Sequence, residues 1–394
     1  MVPINPLLAD TGTPPIPEVQ AWAGRYGGAH GSLIDLCQAV PSYPPPEALL
    51  QRLAAAAGSA AAAKYGPIAG DLALREAYAA QLSRVYGGRL GVDSVAITAG
   101  CNQAYFVAMM TVARHGDAVL VPTPWYFNHS MSLQMLGIEA RAVPCTSDTG
   151  FIPDPDEIEK RIDERVRALV LVTPNNPTGA VYPAEVIARL YDLCRRRGIW
   201  LVLDETYRDF LPRGQDRPHD VLAGQGWPDG LIQLYSFSKA FAIPGHRLGA
   251  LAAPAALITQ ALKVMDCVQI CAVRAGQEGL CWGLDTQADW QAANRSMMNA
   301  RADIVRPMFA ALDGWKLDAL GAYFAYVRHP FPDRSAWDVA EQLASEYGVA
   351  CLPGPAFAGS DAHLRIAFAN VDQAGLDALQ RRLAQVTQGR HAAE

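Results

Sequence analysis

The chain has 394 residues, of which 51% are hydrophobic and 18% are charged, and it carries a formal net charge of −6. This composition excludes an intrinsically disordered chain, which requires low hydrophobicity and a high net charge. The acidic balance argues against nucleic acid or an anionic membrane as the main partner. Since a domain usually spans about 100–200 residues, the length predicts two or three domains.

The cysteines and the first residues indicate where the protein works. The eight cysteines are scattered and form no CxxC pair, so we expect reduced thiols and no disulfide framework. Residues 1–10 have no basic residue ahead of an apolar run. The Ala-rich stretch 53–63 is far shorter than the roughly 20 residues of a membrane span. We therefore expect a soluble, cytoplasmic protein with no membrane partner.

The first 45 residues are rich in Pro and Gly and predict an ordered arm that lies on another surface. Short apolar runs and helical patterns then alternate. The predicted strands are 95–98, 118–121, 139–143, 168–173, 200–204, 231–236 and 248–252. The predicted helices between them are 71–84, 102–114, 128–136, 156–165 and 184–197. Several strands are apolar on both faces, which predicts a large, doubly wound α/β domain with a mostly parallel sheet.

After about residue 290 the pattern changes to an α+β layout. The predicted helices there are 291–312, 337–347 and 376–386, and the predicted strands are 323–328, 349–352 and 364–367. We therefore predict three parts. They are an N-terminal arm (1–45) that packs with the small domain, a large domain (46–290) and a small C-terminal α+β domain (291–394).

The most informative segment is 236–249, which reads SFSKAFAIPGHRLG. Lys239 follows an apolar strand, where α/β sheets place ligand sites. The hydroxyls of Ser236 and Ser238 and the guanidinium of Arg247 suit a phosphate group. A lysine that is partly desolvated near other cations has a lowered pKa and becomes an amine nucleophile. The alternative is a surface lysine that happens to follow a buried strand.

A carboxylate ends the predicted strand 200–204, in the segment WLVLDETY. Because a buried carboxylate needs a cation or hydrogen-bond donors, Asp204 is a candidate to hold a protonated pyridine nitrogen. Tyr207 is a candidate to hydrogen-bond a phenolic oxygen. The alternative is an aspartate that only caps the following helix.

Two turns after other strands are weaker candidates. The segment 173–179, TPNNPTG, has prolines on both sides of an Asn pair, which fixes an extended turn with an Asn amide pointing outward. The segment 98–104, TAGCNQA, passes from a strand through a glycine to a helix start, where backbone N–H groups bind phosphate. For each segment the alternative is an ordinary turn without a ligand.

Together, these segments resemble one family over nearly the whole chain. The ordered set NNPTG, DETY and SxSKxxxxPGxRxG resembles the fold-type I pyridoxal-phosphate enzymes, specifically the class I and II aminotransferases related to aspartate aminotransferase. The resemblance implies a pyridoxal 5'-phosphate cofactor in a Schiff base with Lys239, which also shuttles a proton. It implies amino-group transfer between an L-amino acid and a 2-oxo acid. Two alternatives stay open: a lyase, decarboxylase or oxidase on the same scaffold and, more distantly, a ligand-sensing regulator in which this fold serves as the effector domain.

The resemblance also implies roles for the residues around the cofactor. Asp204 pairs with the ring nitrogen and keeps the ring an electron sink. Asn176 and Tyr207 bind the phenolic oxygen, and Tyr126 stacks on the ring face, with Trp125 as its rival. The residues implied to hold the phosphate are Gly100, Cys101, Asn102, Ser236 and Arg247, with Ser238 as an additional candidate.

Further residues are implied at the edges of the site. Tyr65 matches a tyrosine that family members donate to the phosphate of the neighbouring subunit, which implies a homodimer with shared active sites. Arg365 matches the arginine that clamps the substrate α-carboxylate with two hydrogen bonds, close to Asn176 and Ala39. Outside the family context, Arg365 would be interpreted as a strand arginine in a surface ion pair.

Two segments depart from the family pattern. Ala39 stands where many relatives carry a glycine beside the substrate, and 269–277 lacks the usual Ser/Asn-Pro pattern that lines the partner's site. Arg274, in the second segment, is a candidate either to recognise an acidic side chain or to form an ion pair at the dimer interface. Both departures leave the substrate open.

The remaining chemical candidates are weak. The eight histidines are scattered without an HExxH motif, so we expect no metal site. No GxGxxG follows a strand, which argues against a nicotinamide dehydrogenase. Cys101 lies at a predicted helix start, where the pKa of a thiol falls, although we interpret it as packing near the phosphate.

Overall fold

The computed structural model describes residues 2–224 and 226–391. Its strands are β1 (Ile34–Asp35), β2 (Val95–Thr98), β3 (Ala118–Thr123), β4 (Glu139–Pro144), β5 (Val166–Val172), β6 (Trp200–Asp204), β7 (Leu231–Ser236), β8 (Gly249–Ala252), β9 (Lys316–Gly321), β10 (Phe324–Arg328), β11 (Val349–Ala350), β12 (Leu352–Pro353) and β13 (His363–Ala367). Its helices are α1 (Pro6–Ala9), α2 (Pro15–Ala23), α3 (Glu47–Ala57), α4 (Leu72–Tyr86), α5 (Cys101–Val112), α6 (Phe127–Met135), α7 (Pro155–Glu159), α8 (Ala184–Arg197), α9 (Phe237–Ala240), α10 (Ala255–Val268), α11 (Arg274–Thr286), α12 (Ala288–Ala310), α13 (Ala336–Ser345) and α14 (Gln373–His391).

The largest sheet has seven strands in the order β2-β8-β7-β6-β5-β3-β4. β8 pairs antiparallel with both of its neighbours, and the other pairs are parallel. In β5 and in β6 all residues but one are buried, as expected of strands that have helices on both faces. The predicted α/β fold with a mostly parallel sheet is confirmed.

The strand register brings the ends of three parallel strands together. Asp204 of β6 pairs with Val172 of β5 and with Leu234 of β7. The turn that carries Asn176 follows β5, and the turn that carries Lys239 follows β7. All of these groups therefore meet at the carboxyl edge of the sheet, which is where open α/β sheets bind ligands.

Apolar clusters cover both faces of the large sheet. One cluster includes residues of α3, α4, α8 and α11, such as Leu53 and Tyr78. The other includes residues of α5, α6 and α10, such as Ala108 and Leu133. Because close-packed interiors resist displacement, these clusters hold the strand ends in fixed positions.

The C-terminal part forms a four-stranded antiparallel sheet in the order β12-β13-β10-β9. The arm adds to this part, since β1 pairs in parallel with β11. Trp22 and Leu36 of the arm also share an apolar cluster with Phe309 of α12. These contacts support the division predicted from the sequence, which we propose for this chain: an arm (1–45), a large domain (46–290) and a small domain (291–394).

The sequence pattern misses α3, α10 and α11. In α11, glycines lower the helix propensity but allow neighbouring side chains to come close. A Cβ at Gly276 would lie 2.5 Å from Cδ1 of Leu248, and a Cβ at Gly279 would lie 2.7 Å from Cδ2 of Leu53. Tertiary packing therefore forms a helix that local propensity does not predict.

The pattern also does not predict β1, α1, α2 and α9, and it differs from the structure at three further places. The predicted strand 349–352 is two strands, because β11 pairs with β1 whereas β12 pairs with β13. The predicted helix 156–165 ends at Glu159, and Asp163 then forms a turn by accepting a hydrogen bond from the N–H of Arg165. β9 escapes prediction because its side chains do not alternate between buried and exposed.

Among the described residues, no helix is both long and apolar enough to cross a membrane. Residues 2–224 and 226–391 also bring together no group of three or more His, Cys, Asp or Glu side chains that could hold a metal ion. The polar side chains that can carry chemistry lie instead at the carboxyl edge of the large sheet.

Candidate active site

A cavity of about 460 Å³ opens at this edge of the sheet. The predicted site residues that line it are Ala39, Cys101, Asn102, Tyr126, Asn176, Asp204, Tyr207, Ser236, Ser238, Lys239, Arg247 and Arg365. Gly100 packs against the guanidinium of Arg247, whereas Tyr65 lies on the surface outside the cavity. The structure thus brings residues of the arm, the large sheet and β13 to one place.

Lys239 lies in α9, directly after β7, and its side chain lines the cavity. Its Nζ donates a hydrogen bond of 2.6 Å to the backbone oxygen of Ala39. Burial and, after it, the positive charges of Arg365 and Arg247 lower the pKa of Lys239 to about 8. An appreciable fraction of the amine is therefore neutral near neutral pH, and the neutral amine is the form that acts as a nucleophile or a base.

Asp204 ends β6 and is buried against a histidine. Its Oδ2 lies 3.2 Å from Nε2 of His129, and its Oδ1 accepts hydrogen bonds from the N–H and the hydroxyl of Thr206. Burial acts to raise the pKa of Asp204, but His129 and Thr206 outweigh burial, and the pKa lies below its ordinary value. The carboxylate therefore stays ionised at neutral pH.

Sequence reasoning misses His129. This residue lies in α6, and its ring stacks on that of Tyr105 with the centroids 3.9 Å apart. Its Nδ1 has no hydrogen-bond partner within the described residues, so the ring is oriented by stacking and by its contact with Asp204. The only signal in the sequence is a histidine shortly after the aromatic segment PWYF, which is too common to single out.

The start of α5, Arg247, Ser236 and Ser238 form an anion cradle. The N–H groups of the first turn of α5 have no acceptor within the helix and carry its positive dipole end. Arg247 packs over this turn, since a Cβ at Gly100 would lie 2.3 Å from its Nη2. Gly249 lets β8 approach the same turn, because a Cβ there would lie 2.7 Å from the backbone N of Cys101.

The thiol of Cys101 is buried at the start of α5. Burial and the nearby Asp204 carboxylate raise the pKa of Cys101 well above its usual value. The Sγ atom lies 3.5 Å from Oδ1 of Asp204. Burial and a neighbouring negative charge therefore outweigh the helix start, and the thiol stays protonated.

Arg365 lies in β13 and is buried, so it does not form the surface ion pair considered as its alternative. Its Nη1 donates a 3.1 Å hydrogen bond to Oδ1 of Asn176, and its Nη2 donates to the backbone oxygen of Cys37. Its Cζ lies 5.0 Å and 5.1 Å from the ring centroids of Phe324 and Phe357. Its Nε is buried and has no partner among the described residues, whereas Nη1 and Nη2 each keep a second N–H that can donate to a carboxylate.

Aromatic side chains complete the cavity. Tyr126 lines it, whereas its rival Trp125 packs against the apolar cluster around α5 and α10. Burial is the main cause that raises the pKa of Tyr126 to about 12, so its hydroxyl stays protonated. Tyr207 packs edge-on against Tyr323 and Phe324, which fixes its orientation.

Arg274 and Tyr65 lie outside the cavity. Arg274 Nε lies 3.1 Å from Oδ1 of Asp71, and Nη1 donates a 2.7 Å hydrogen bond to the backbone oxygen of Ala61. This ion pair joins two residues of the same chain. Tyr65 is 79% exposed, although it is a large aromatic side chain.

A lysine amine after a strand of a doubly wound sheet, beside an anion cradle and an ionised aspartate, defines an enzyme site built around a reactive amine. The family model for aminotransferase class I and II matches residues 32–383, and the chain belongs to this family. Members of this family transfer amino groups and depend on pyridoxal phosphate. The activity predicted from the sequence is confirmed at this level.

Similar proteins with named activities differ in substrate. An aromatic aminotransferase of Arabidopsis thaliana is 30% identical, and the match covers 89% of this chain and 88% of that protein. The aspartate/prephenate aminotransferase of Thermus thermophilus is also 30% identical, with 89% and 90% covered. The solved structure of aspartate aminotransferase from Thermus thermophilus with maleate has a TM-score of 0.90 at 27% identity and covers 98% of this chain and 100% of that chain.

Proposed function

We propose that this aminotransferase uses pyridoxal 5'-phosphate with the amine of Lys239 as its reactive group, and that it acts on an L-amino acid and a 2-oxo acid. One observation carries the proposal: a lysine amine of lowered pKa shares a single cavity with an ionised aspartate, an anion cradle and a buried arginine. A surface lysine and a helix-capping aspartate do not account for this combination.

The anion cradle fits the phosphate of the cofactor. Helix N–H groups, hydroxyls and a guanidinium are the donors that phosphate oxygens prefer. Gly100 supports this fit, because it has no side chain and so lets the guanidinium of Arg247 lie against the start of α5. A side chain at this position would displace the guanidinium. The residues that would hold the phosphate are Gly100, Cys101, Asn102, Ser236, Ser238 and Arg247.

The surroundings of Asp204 fit the ring of the cofactor. Asp204 would pair with the protonated ring nitrogen, because its lowered pKa keeps the carboxylate ionised. Tyr126 would stack on the ring face. Asn176 accepts from Arg365 through Oδ1, which leaves its amide N–H groups to donate to the phenolic oxygen together with the Tyr207 hydroxyl.

Lys239 would carry the proton transfer. When bound, the cofactor supplies an aldehyde that takes up the amino group and a ring that withdraws electrons from the substrate Cα. Lys239 would accept the proton from Cα and return it, since a pKa of about 8 lets the amine exchange protons near neutral pH. The backbone oxygen of Ala39 would orient the amine when it is not reacting.

Arg365 would orient the substrate. The remaining N–H groups of Nη1 and Nη2 suit the α-carboxylate, and the hydrogen bonds to Asn176 and Cys37 hold the guanidinium in place. Holding the substrate at its carboxylate and at the cofactor fixes the direction of the Cα–H bond, which accelerates the proton transfer.

Tyr65 supports a homodimer. Its exposed ring lies outside the cavity of its own chain and would reach the phosphate of a neighbouring subunit. Exposed apolar side chains of the segment 268–273 lie near it, since the N–H of Gly66 donates to the thiol of Cys271. The exposed members of that segment are Val268, Ile270 and Val273.

Borohydride reduction of the protein loaded with pyridoxal 5'-phosphate, followed by peptide mass spectrometry, tests the proposal. We expect the cofactor to be attached to Lys239 and not to Lys64, an exposed lysine that serves as an internal control. Attachment elsewhere, with Lys239 unmodified, would rule out the proposed amine.

A second measurement separates amino-group transfer from other reactions of the same cofactor. An amino acid added without a 2-oxo acid should convert the bound cofactor to its amine form and release the 2-oxo acid stoichiometrically. Continuous release of ammonia or of carbon dioxide would instead identify a lyase or a decarboxylase.

A further inference from the structure

The part of the cavity that the cofactor and the α-carboxylate leave free decides which amino acids the enzyme accepts. We propose that this enzyme selects amino acids with uncharged, apolar side chains and discriminates against acidic and basic ones. The inference rests on the proposed function, because it takes Lys239 and Arg365 as the two fixed points of the substrate.

The two fixed points lie under the same segment of the arm. Arg365 donates to the backbone oxygen of Cys37, and Lys239 donates to the backbone oxygen of Ala39. A substrate held at both points would span the cavity beneath 37–40, and the proposal places its side chain along this segment, whose residues line the cavity. We call the apolar side chains that line this part of the cavity the arm wall.

The arm wall is apolar. It consists of Ile16 of α2, Val40 and, at the start of α6, Phe127, all of which line the cavity. Val40 is 38% exposed, which is unusual for a large apolar side chain in such a position. Gln38 lies beside them and is polar but uncharged. An apolar substrate side chain would remove this exposed surface from water, which favours binding.

In the proposed function, every charged side chain that lines the described part of the cavity already interacts with the cofactor or with the α-carboxylate. Among the described residues that line it, they are Asp204, Lys239, Arg247 and Arg365. The cofactor uses the first three, and the α-carboxylate uses the fourth. An acidic or a basic side chain would therefore enter the arm wall without a counter-charge and would lose its hydration.

Arg274 does not change this balance, because Asp71 of the same chain pairs with it. The surface near Tyr65, which the proposed dimer would bring to a neighbouring site, exposes the apolar side chains of 268–273. Lys64 is a cation beside that surface. The experiments therefore include Lys64 as a test for a positive charge from a neighbouring subunit.

Binding of two unreactive acids of similar shape tests the inference without turnover. 4-Methylpentanoate and succinate correspond to leucine and aspartate without their amino groups. Calorimetric titration of the loaded enzyme should give at least about tenfold tighter binding of 4-methylpentanoate, since a pocket discriminates strongly against a group that it leaves unpaired. Equal or tighter binding of succinate would overturn the inference, even if the enzyme proved inactive.

Turnover separates this inference from the proposed function. L-Leucine should have a kcat/KM at least about 100-fold higher than that of L-aspartate, with L-alanine as the baseline. A higher value for aspartate would overturn the inference and leave the proposed function standing. Inactivity with all three amino acids would count against the proposed function, and calorimetry would still decide the inference.

A charge placed in the arm wall should reverse the preference. Val40→Lys should raise the ratio of aspartate to leucine turnover at least about tenfold, because it supplies the missing counter-charge. Met110→Lys adds the same charge at an exposed position of α5 outside the cavity and should leave the ratio unchanged. An unchanged ratio in Val40→Lys would show that the substrate side chain lies elsewhere and would overturn the inference.

Lys64→Met tests for a cation from the partner subunit. A loss of aspartate turnover in this variant would show that Lys64 binds the acidic side chain, and it would also overturn the inference.

Discussion

Asp204 and Glu205 are neighbours in sequence, and comparing them shows how the two sides of the large sheet differ. Both carboxylates are buried at the end of β6. Successive side chains of a strand point to opposite faces, so the two groups lie on opposite sides of the sheet. Asp204 borders the active-site cavity, whereas Glu205 does not line it.

Glu205 is surrounded by partners. The hydroxyl of Tyr86 lies 2.7 Å and 2.6 Å from its two oxygens, and Nε2 of Gln233 donates at 2.9 Å. Nε2 of His219 lies 2.9 Å away, and Nη1 of Arg208 lies 3.9 Å away. Burial acts to raise the pKa of Glu205, but these groups lower it below its ordinary value. Its hydrogen-bonding capacity is used within the protein.

The difference teaches that burial and charge together do not define a functional carboxylate. Both groups are ionised, and each lies beside a histidine. Asp204 is functional in our proposal because its other side faces open space at the carboxyl edge of the sheet. Glu205 instead stabilises the interior beneath that edge through its contacts with buried polar side chains.

Glu205→Ala should have the largest effect, and the effect should be on stability. The substitution removes a buried carboxylate that lies beside Arg208 and that accepts hydrogen bonds from Tyr86 and Gln233, and breaking a buried ionic network costs about 3–5 kcal/mol. Urea unfolding followed by circular dichroism measures the free energy of unfolding. A loss below about 1 kcal/mol, the value typical of an exposed pair, would contradict the structural role.

Asp204→Asn should lower kcat/KM about 10²–10³-fold, the usual effect of removing one group that stabilises charge in a transition state. Its free energy of unfolding should change less than that of Glu205→Ala, because the amide can still accept from Thr206. Glu205→Gln is the matched control and should retain most of its activity. Equal losses of activity in Asp204→Asn and Glu205→Gln would show that the two sides of the sheet do not differ in function.

The cavity side should also respond to pH through Lys239. The rate at which the apoprotein takes up pyridoxal 5'-phosphate should rise with pH around a midpoint near 8, because only the neutral amine reacts. Arg365→Met removes a positive charge that lowers this pKa, so the midpoint should move upward by about one unit, which corresponds to about 1.4 kcal/mol. Stopped-flow absorbance measures the rate, and an unchanged midpoint would contradict the assigned cause.

Arg274→Ala should have the smallest effect. Its ion pair with Asp71 is partly exposed to solvent, and such pairs contribute about 0–1 kcal/mol. Activity on leucine and on aspartate should fall by the same small factor, as measured by kcat/KM. A loss of activity confined to aspartate would instead show that Arg274 recognises acidic substrates, which is one of the two roles that the sequence leaves open.

The sequence predicts the cavity side of the sheet well because its groups follow apolar strands in ordered motifs. Asp204 ends a strand, Asn176 and Lys239 lie within four residues of the end of theirs, and the strand register brings the three together. His129 and Ile16 cannot be predicted in this way. They reach the site from helices, and only the packing of α6 and α2 decides which of their side chains face it.

The position of the arm has a consequence for biosynthesis. Cys37 and Arg365, which meet at the cavity, are 328 residues apart, and the strand that pairs with β1 is also near the end of the chain. Nascent domains fold in order of synthesis, and contacts between distant residues form slowly. The arm is therefore synthesised well before β11 and docks only after β11 has been made. A chain interrupted before β11 would carry a finished large sheet with Lys239 open to water.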